Sequence, residues 1–164
     1  MVYKLAKQVG EELQRVGVKL ATAESCTGGW IAQEVTAVPG SSEWFECGFV
    51  TYSNAAKKRM LGVREETLVA HGAVSEAVVL EMAEGAVRES DASLSVAISG
   101  VAGPDGGSAE KPVGTVWMAW ALCGETTKSN LYRFKGDRES VRQQAVNQAL
   151  KGILDCLSKR SLQS

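Results

Sequence analysis

The stretch that most constrains this chain runs from Val18 to Val35 and is built around Ala21-Thr22-Ala23-Glu24-Ser25-Cys26-Thr27-Gly28-Gly29-Trp30. Residues 18–23 have strand character. Ser25 to Gly29 form a small polar turn with paired glycines, and Trp30-Ile31-Ala32-Gln33-Glu34-Val35 suits a helix. A strand that passes through a tight glycine turn into a helix belongs at the mouth of an α/β sheet. The turn gathers backbone N–H groups and hydroxyls at one point, where they can hold an anion or support a nucleophile.

The rest of the chain alternates in the way such a sheet requires. Leu5, Val9, Leu13 and Val16 fall at helical spacing over residues 2–16, and Gly17 closes that helix. Pro39-Gly40-Ser41-Ser42 ends the helix of residues 28–37, and the aromatic residues 43–51 read as a strand. A short helix over 55–61 follows, with Ser53 or Asn54 as its cap and Gly62 as its stop. Residues 65–70 form another turn or two of helix, and Ser75 caps a longer one through Arg88. A short apolar strand over 94–99 empties into Gly100-Val101-Ala102-Gly103-Pro104-Asp105-Gly106-Gly107-Ser108. Strands over 113–122 and 126–134 form a hairpin, and a final amphipathic helix spans 137–159. The sum is one domain over residues 1–164, a three-layer α/β/α arrangement with a mixed β-sheet.

Composition narrows the function classes. The 164 residues are 45% hydrophobic and 23% charged, with a net charge of −1. That balance lacks the basic field expected of a nucleic-acid or anionic-membrane binder. No apolar run approaches the ~18 residues of a membrane span, and the N-terminus lacks a signal-peptide core, so a cytoplasmic location is expected. Cys26, Cys47, Cys123 and Cys156 are widely separated and accompany a single histidine, so zinc-type spacing is absent. Three of these cysteines read as small core hydrophobes, and Cys26 stands apart because it adjoins Ser25. The apolar stretches 44–49 and 113–120 would permit a homodimer.

A hydroxyl nucleophile at Ser25 needs a base. His71 sits in Ala70-His71-Gly72, where helix termination is the favoured reading. Lys57 is the other candidate, because desolvation lowers a lysine pKa toward neutrality. It follows Tyr52-Ser53-Asn54 on a short helix that starts where a strand ends, so Tyr52 and Lys57 can converge on the mouth of the sheet. Plainer readings stand beside these: Ser25 as a helix cap, Lys57 as a solvated charge, and 103–107 as an ordinary loop. Cys26 is a rival nucleophile, since a thiol at a helix N-terminus tends toward thiolate, but it lacks an evident histidine partner.

The blocks AESCTGGW, GSSEWFECGFVTYSNAAKKRMLGV, HGAVSE, ISGVAGPDGG and KPVGTVW, spread from about residue 5 to 150, closely resemble the bacterial nicotinamide-nucleotide amidase family. This is the stand-alone form of the C-terminal domain of the competence/damage-inducible protein CinA. The N-terminal domain of the longer CinA proteins, similar to molybdopterin-binding proteins, has no counterpart in these residues. The resemblance implies hydrolysis of the carboxamide of nicotinamide mononucleotide to nicotinate mononucleotide and ammonia, with no metal or cofactor. It also implies a serine–lysine dyad, which falls on Ser25 and Lys57, with Tyr52 and Asn54 orienting the lysine or the amide and Lys58 outside the pattern. For such a substrate, backbone N–H groups of Cys26, Thr27, Gly28 and Gly29 would hold the oxyanion. Ser99, Gly103, Gly106 and Gly107 would bring donors to ribose and phosphate. An arginine would clamp the phosphate, Arg142 first and Arg138 next. The competing readings are a non-catalytic interaction module of competence or DNA damage, and an amidase for a related nucleotide amide.

Overall fold

The computed structural model describes the backbone of residues 2–163 and the side chains of residues 2–159. The elements follow in the order α1 (Val2–Val16), β1 (Leu20–Glu24), α2 (Trp30–Thr36), a 3₁₀ turn (Ser41–Glu43), β2 (Phe45–Val50), α3 (Asn54–Leu61), α4 (Glu65–His71), α5 (Glu76–Arg88), β3 (Leu94–Gly100), β4 (Thr115–Leu122), β5 (Lys128–Arg133) and α6 (Arg138–Gln163). The five strands form one sheet in the order β2-β1-β3-β4-β5. β1 runs parallel to both β2 and β3, whereas β4 and β5 complete the sheet antiparallel. This is the mixed three-layer α/β architecture expected from the alternation of periods.

The two faces of the sheet differ in side-chain size. Leu20, Leu94, Val96, Ile98, Val116 and Met118 point to one face and pack with the apolar residues of α1, α2 and α6. The opposite face presents Ala21, Ala23, Ala97, Ala119 and Ala121, and α5 lies against it through Val79, Met82 and Ala83. Small side chains let that helix come close enough for Ser95 Oγ to donate to the Ala83 carbonyl at 2.6 Å. Of the apolar stretches that would permit a dimer, 45–49 forms most of the half-buried edge strand β2, whereas Trp44 and most of β4 are taken up within the fold. Trp44 is buried in a notch made by Gly10 of α1, and β4 is flanked on both sides by strands.

Chain reversals set where a site can form. β1 leads to α2 on the large-residue face, while β2 leads to α3–α5 on the alanine face, so successive connections leave the sheet in opposite directions. The C-terminal ends of β1 and β3 lie side by side at that divergence, with the Ser25 N–H donating to the Ile98 carbonyl at 3.1 Å. Open α/β sheets hold ligands at such a switch point.

Several boundaries differ from the sequence expectation. α2 begins at Trp30 rather than residue 28, because Gly28 (φ 59°) and Gly29 (φ 102°) are left-handed, which suits residues without a Cβ. Of the two cap candidates for α3, Ser53 takes the role, its Oγ accepting from the Ala56 N–H at 3.0 Å. The cysteine expectation is corrected. Cys123 is exposed on the β4–β5 turn, and Cys47 and Cys156 are half-buried, so none of the three is a fully buried core residue. No helix among the described residues is long and apolar enough to cross a membrane.

Candidate active site

Ser25 is the first residue beyond β1, and Lys57 projects from the first turns of α3, which starts four residues after β2 ends. Because β1 and β2 are parallel neighbours, both arrive at the same end of the sheet. Lys57 Nζ lies 3.0 Å from Ser25 Oγ. Lys57 is 1% exposed, a placement that an ordinary surface lysine does not adopt. Its Nζ also donates to the carbonyls of Thr51 (3.0 Å) and Tyr52 (3.2 Å). A neutral amine has two hydrogens, and the two carbonyls account for both. In that neutral form the lone pair would face the serine hydroxyl, whereas the ammonium form would donate to it.

Electrostatics favours that neutral form. Burial lowers the Lys57 pKa, and the one opposing influence is the charge that Cys26 would carry as a thiolate. That charge is not present near neutral pH. Burial, reinforced by the Glu24 carboxylate, pushes the Cys26 thiol up to about 12, against its own backbone N–H, Arg142 and Lys57. Cys26 therefore keeps its proton and fails as the rival nucleophile. His71, at the C-terminal end of α4, is away from the dyad's cavity, and its carbonyl accepts from Lys111 Nζ at 2.8 Å.

Ser25 and Lys57 open onto a cavity of about 300 Å³. Cys26, Tyr52 and Asn54 border it on the dyad side, and Ser99, Gly103, Gly106 and Arg138 border it on the β3 side. The hydroxyl of Ser99 and the amide of Asn54 make no side-chain hydrogen bond among the described residues, so both remain available to a ligand. Arg138, at the start of α6, donates to the Gly103 carbonyl (2.7 Å) and to Tyr52 Oη (3.3 Å).

Other residues expected at the site stand behind it. Thr27, Gly28, Gly29, Gly107 and Arg142 do not border the cavity. The Gly28 N–H is committed to the Ser25 carbonyl at 3.1 Å, which leaves the amides of Cys26, Thr27 and Gly29 in that turn. Gly107 lets the loop pass close to Val113, where a Cβ would meet its backbone nitrogen at 2.9 Å. Arg142 uses Nε on the Cys26 carbonyl (3.0 Å) and Nη2 on the Thr27 carbonyl (3.1 Å), with its guanidinium 5.2 Å from the Trp30 ring. It braces the nucleophile turn instead of facing the cavity. Lys58 pairs on the surface with Glu65 at 2.6 Å.

Glu24 was not marked by the sequence as a site residue. It is 0% exposed, and its carboxylate accepts from Thr27 Oγ1 (2.6 Å) and from the N–H groups of Ile31 (2.8 Å) and Ala32 (3.0 Å). The last residue of β1 thereby satisfies the first turn of α2 and fixes the turn between them. The available signal is an acid ending a strand with no other charged residue.

Residues 2–157 match the model of the CinA C-terminal domain. The chain belongs to that family. Among relatives in it, the nicotinamide-nucleotide amidohydrolase PncC of Escherichia coli (strain K12) is 57% identical over 150 residues, covering 92% of this chain and 91% of that protein. A CinA-like protein of Akkermansia muciniphila is 52% identical, covering 94% of this chain and 37% of that longer protein. The family fold is equally plain in crystal structures. A competence/damage-inducible protein from Agrobacterium tumefaciens superposes with a TM-score of 0.92 at 43% identity, covering 96% of this chain and 95% of that one. A CinA-superfamily protein from Klebsiella pneumoniae does so with a TM-score of 0.93 at 42% identity, covering 97% and 99%.

Proposed function

We infer that this protein is a nicotinamide-nucleotide amidohydrolase, converting nicotinamide mononucleotide and water to nicotinate mononucleotide and ammonia. The observation that carries the mechanism is the 3.0 Å approach of a buried lysine amine to a serine hydroxyl in an open cavity. The 57% identity to a nicotinamide-nucleotide amidohydrolase along nearly the whole chain supports the choice of substrate.

Ser25 Oγ attacks the carboxamide carbon as its proton passes to neutral Lys57. The carbonyl oxygen becomes an oxyanion within reach of the Cys26 amide, the donor of that turn that borders the cavity. When the C–N bond breaks, Lys57 returns the proton to the departing nitrogen and ammonia leaves. Water then attacks the nicotinyl ester with Lys57 again as base, and the proton goes back to Ser25 Oγ as nicotinate mononucleotide is released. Ser99 and Asn54 supply hydrogen-bonding groups to the substrate. Arg138 replaces Arg142 as the phosphate ligand in this reading, because it borders the cavity and Arg142 does not. The reaction is assigned to the cytoplasm, where the nucleotide pool lies.

Ammonia release from nicotinamide mononucleotide by the purified protein tests the activity. Turnover abolished in Ser25→Ala and in Lys57→Ala supports the dyad, and near-normal turnover in either folded variant overturns it. A pure interaction module releases no ammonia with any of these proteins.

A further inference from the structure

One side chain bordering the cavity has no place in the chemistry above. Asp105 is the one carboxylate on the cavity wall among the described residues, and it makes no hydrogen bond or ion pair among them. It lies on the loop that leaves β3, two residues beyond Gly103, whose carbonyl receives the Arg138 guanidinium. An acid and an arginine therefore share one wall without pairing to each other. The loop that carries the acid is also anchored. The Val101 N–H donates to Thr115 O and the Gly114 N–H to Val101 O, both at 2.8 Å, while Ser108 and Lys111 close a turn between them. Lys111 Nζ ties the far side of the loop to the His71 carbonyl at 2.8 Å. The anchored flanks keep this exposed carboxylate at the cavity wall, where its acceptors have no protein partner among the described residues.

We propose that Asp105 reads the ribose hydroxyls of the substrate and makes the site selective for ribonucleotides over their deoxy counterparts. The proposal rests on the amidase reading, which puts the carboxamide at Ser25 and the phosphate at Arg138. The sugar lies between those groups in the substrate. A carboxylate is acceptor-only and repels phosphate, whereas a vicinal diol offers it two O–H donors. Acids hold ribose hydroxyls in this way in dinucleotide sites.

The test compares kcat/KM for nicotinamide mononucleotide and for its counterpart lacking the ribose 2′-hydroxyl, with wild type, Asp105→Ala and Asp105→Asn. Asp105 is exposed on a loop, so neither substitution disturbs the core. The wild type is expected to prefer the ribose substrate by about tenfold to a hundredfold, the value of a charge-assisted hydrogen bond. Asp105→Ala should lose that factor on the ribose substrate and show a preference near one, mostly through KM. Asp105→Asn, which keeps one acceptor, should fall between. Equal losses on both sugars would mean that the carboxylate serves another group, such as the pyridinium ring, and would overturn the proposal. So would an unchanged preference in Asp105→Ala. A wild type that releases no ammonia from nicotinamide mononucleotide removes the amidase reading itself, a result distinct from turnover with an unaltered sugar preference.

Discussion

Two loops leave neighbouring strands at the same end of the sheet, and they are built in opposite ways. After β1, residues 25–29 are gripped from both sides. Glu24 holds the hydroxyl of Thr27 and two amides of α2, and Arg142 holds the carbonyls of Cys26 and Thr27. After β3, residues 101–114 are pinned mainly through their backbone, and Asp105, like Ser99 near the end of the strand, keeps its side chain unpaired among the described residues. The first arrangement suits a nucleophile, whose position must not vary by fractions of an ångström. The second suits recognition, where side chains have to exchange water for ligand.

This contrast can be broken most severely at the dyad. Ser25→Ala or Lys57→Ala is expected to lower kcat by about 10⁴-fold or more while circular dichroism shows an unchanged fold. Loosening the grip on the first loop should come next. Glu24→Gln places an amide against N–H donors, and Arg142→Ala frees two carbonyls. Each is expected to lower kcat by about 10²-fold with little change in KM. A variant that raised KM alone would return Arg142 to the phosphate.

The cation that braces the second loop from α6, Arg138 on the Gly103 carbonyl, should answer in the other parameter. Arg138→Lys keeps the charge and loses the fork, so KM should rise about tenfold or more with kcat nearly unchanged. A smaller effect concerns stability. Lys57→Met should be inactive yet more stable at neutral pH by on the order of 1 kcal/mol, about 2–4 °C in Tm. The sign follows from the depressed Lys57 pKa: below the ordinary lysine value the unfolded chain binds a proton that the folded chain resists. Wild-type stability from this group therefore rises with pH between the folded and unfolded values, and the advantage of methionine should vanish above them. Activity runs the same way, lost as the pH falls through the folded value. The smallest change is expected for Cys26→Ala, within about threefold of wild-type kcat, because the protonated thiol takes no part.

The order of helices and strands was legible because apolar residues at helical spacing, as in Leu5-Val9-Leu13, give way to short apolar runs that end in glycine, as at 94–99. The approach of Ser25 to Lys57 was legible too, since each follows the end of a strand and the two strands lie adjacent. The arginines were not separable on the same basis. Arg138 and Arg142 stand four residues apart, so they project from one helix face, and only the packing of α6 decides which reaches the cavity. Glu24 escaped notice because its partner amides belong to Ile31 and Ala32, beyond a turn whose two left-handed glycines could not be drawn from residue types alone. Cys47, Cys123 and Cys156 were overassigned to the interior, since cysteine is usually buried but carries no positional signal of its own.

The close seat of α5 on the alanine face reaches further than packing. At Gly85 a Cβ would lie 2.0 Å from the Leu61 carbonyl, at the end of the helix that carries Lys57. The single hydrogen there fixes how deeply α3 can settle, and with it the reach of the amine toward its serine. A methyl group added on that buried side, out of sight of any substrate, would retune the reaction by lifting the lever from its fulcrum.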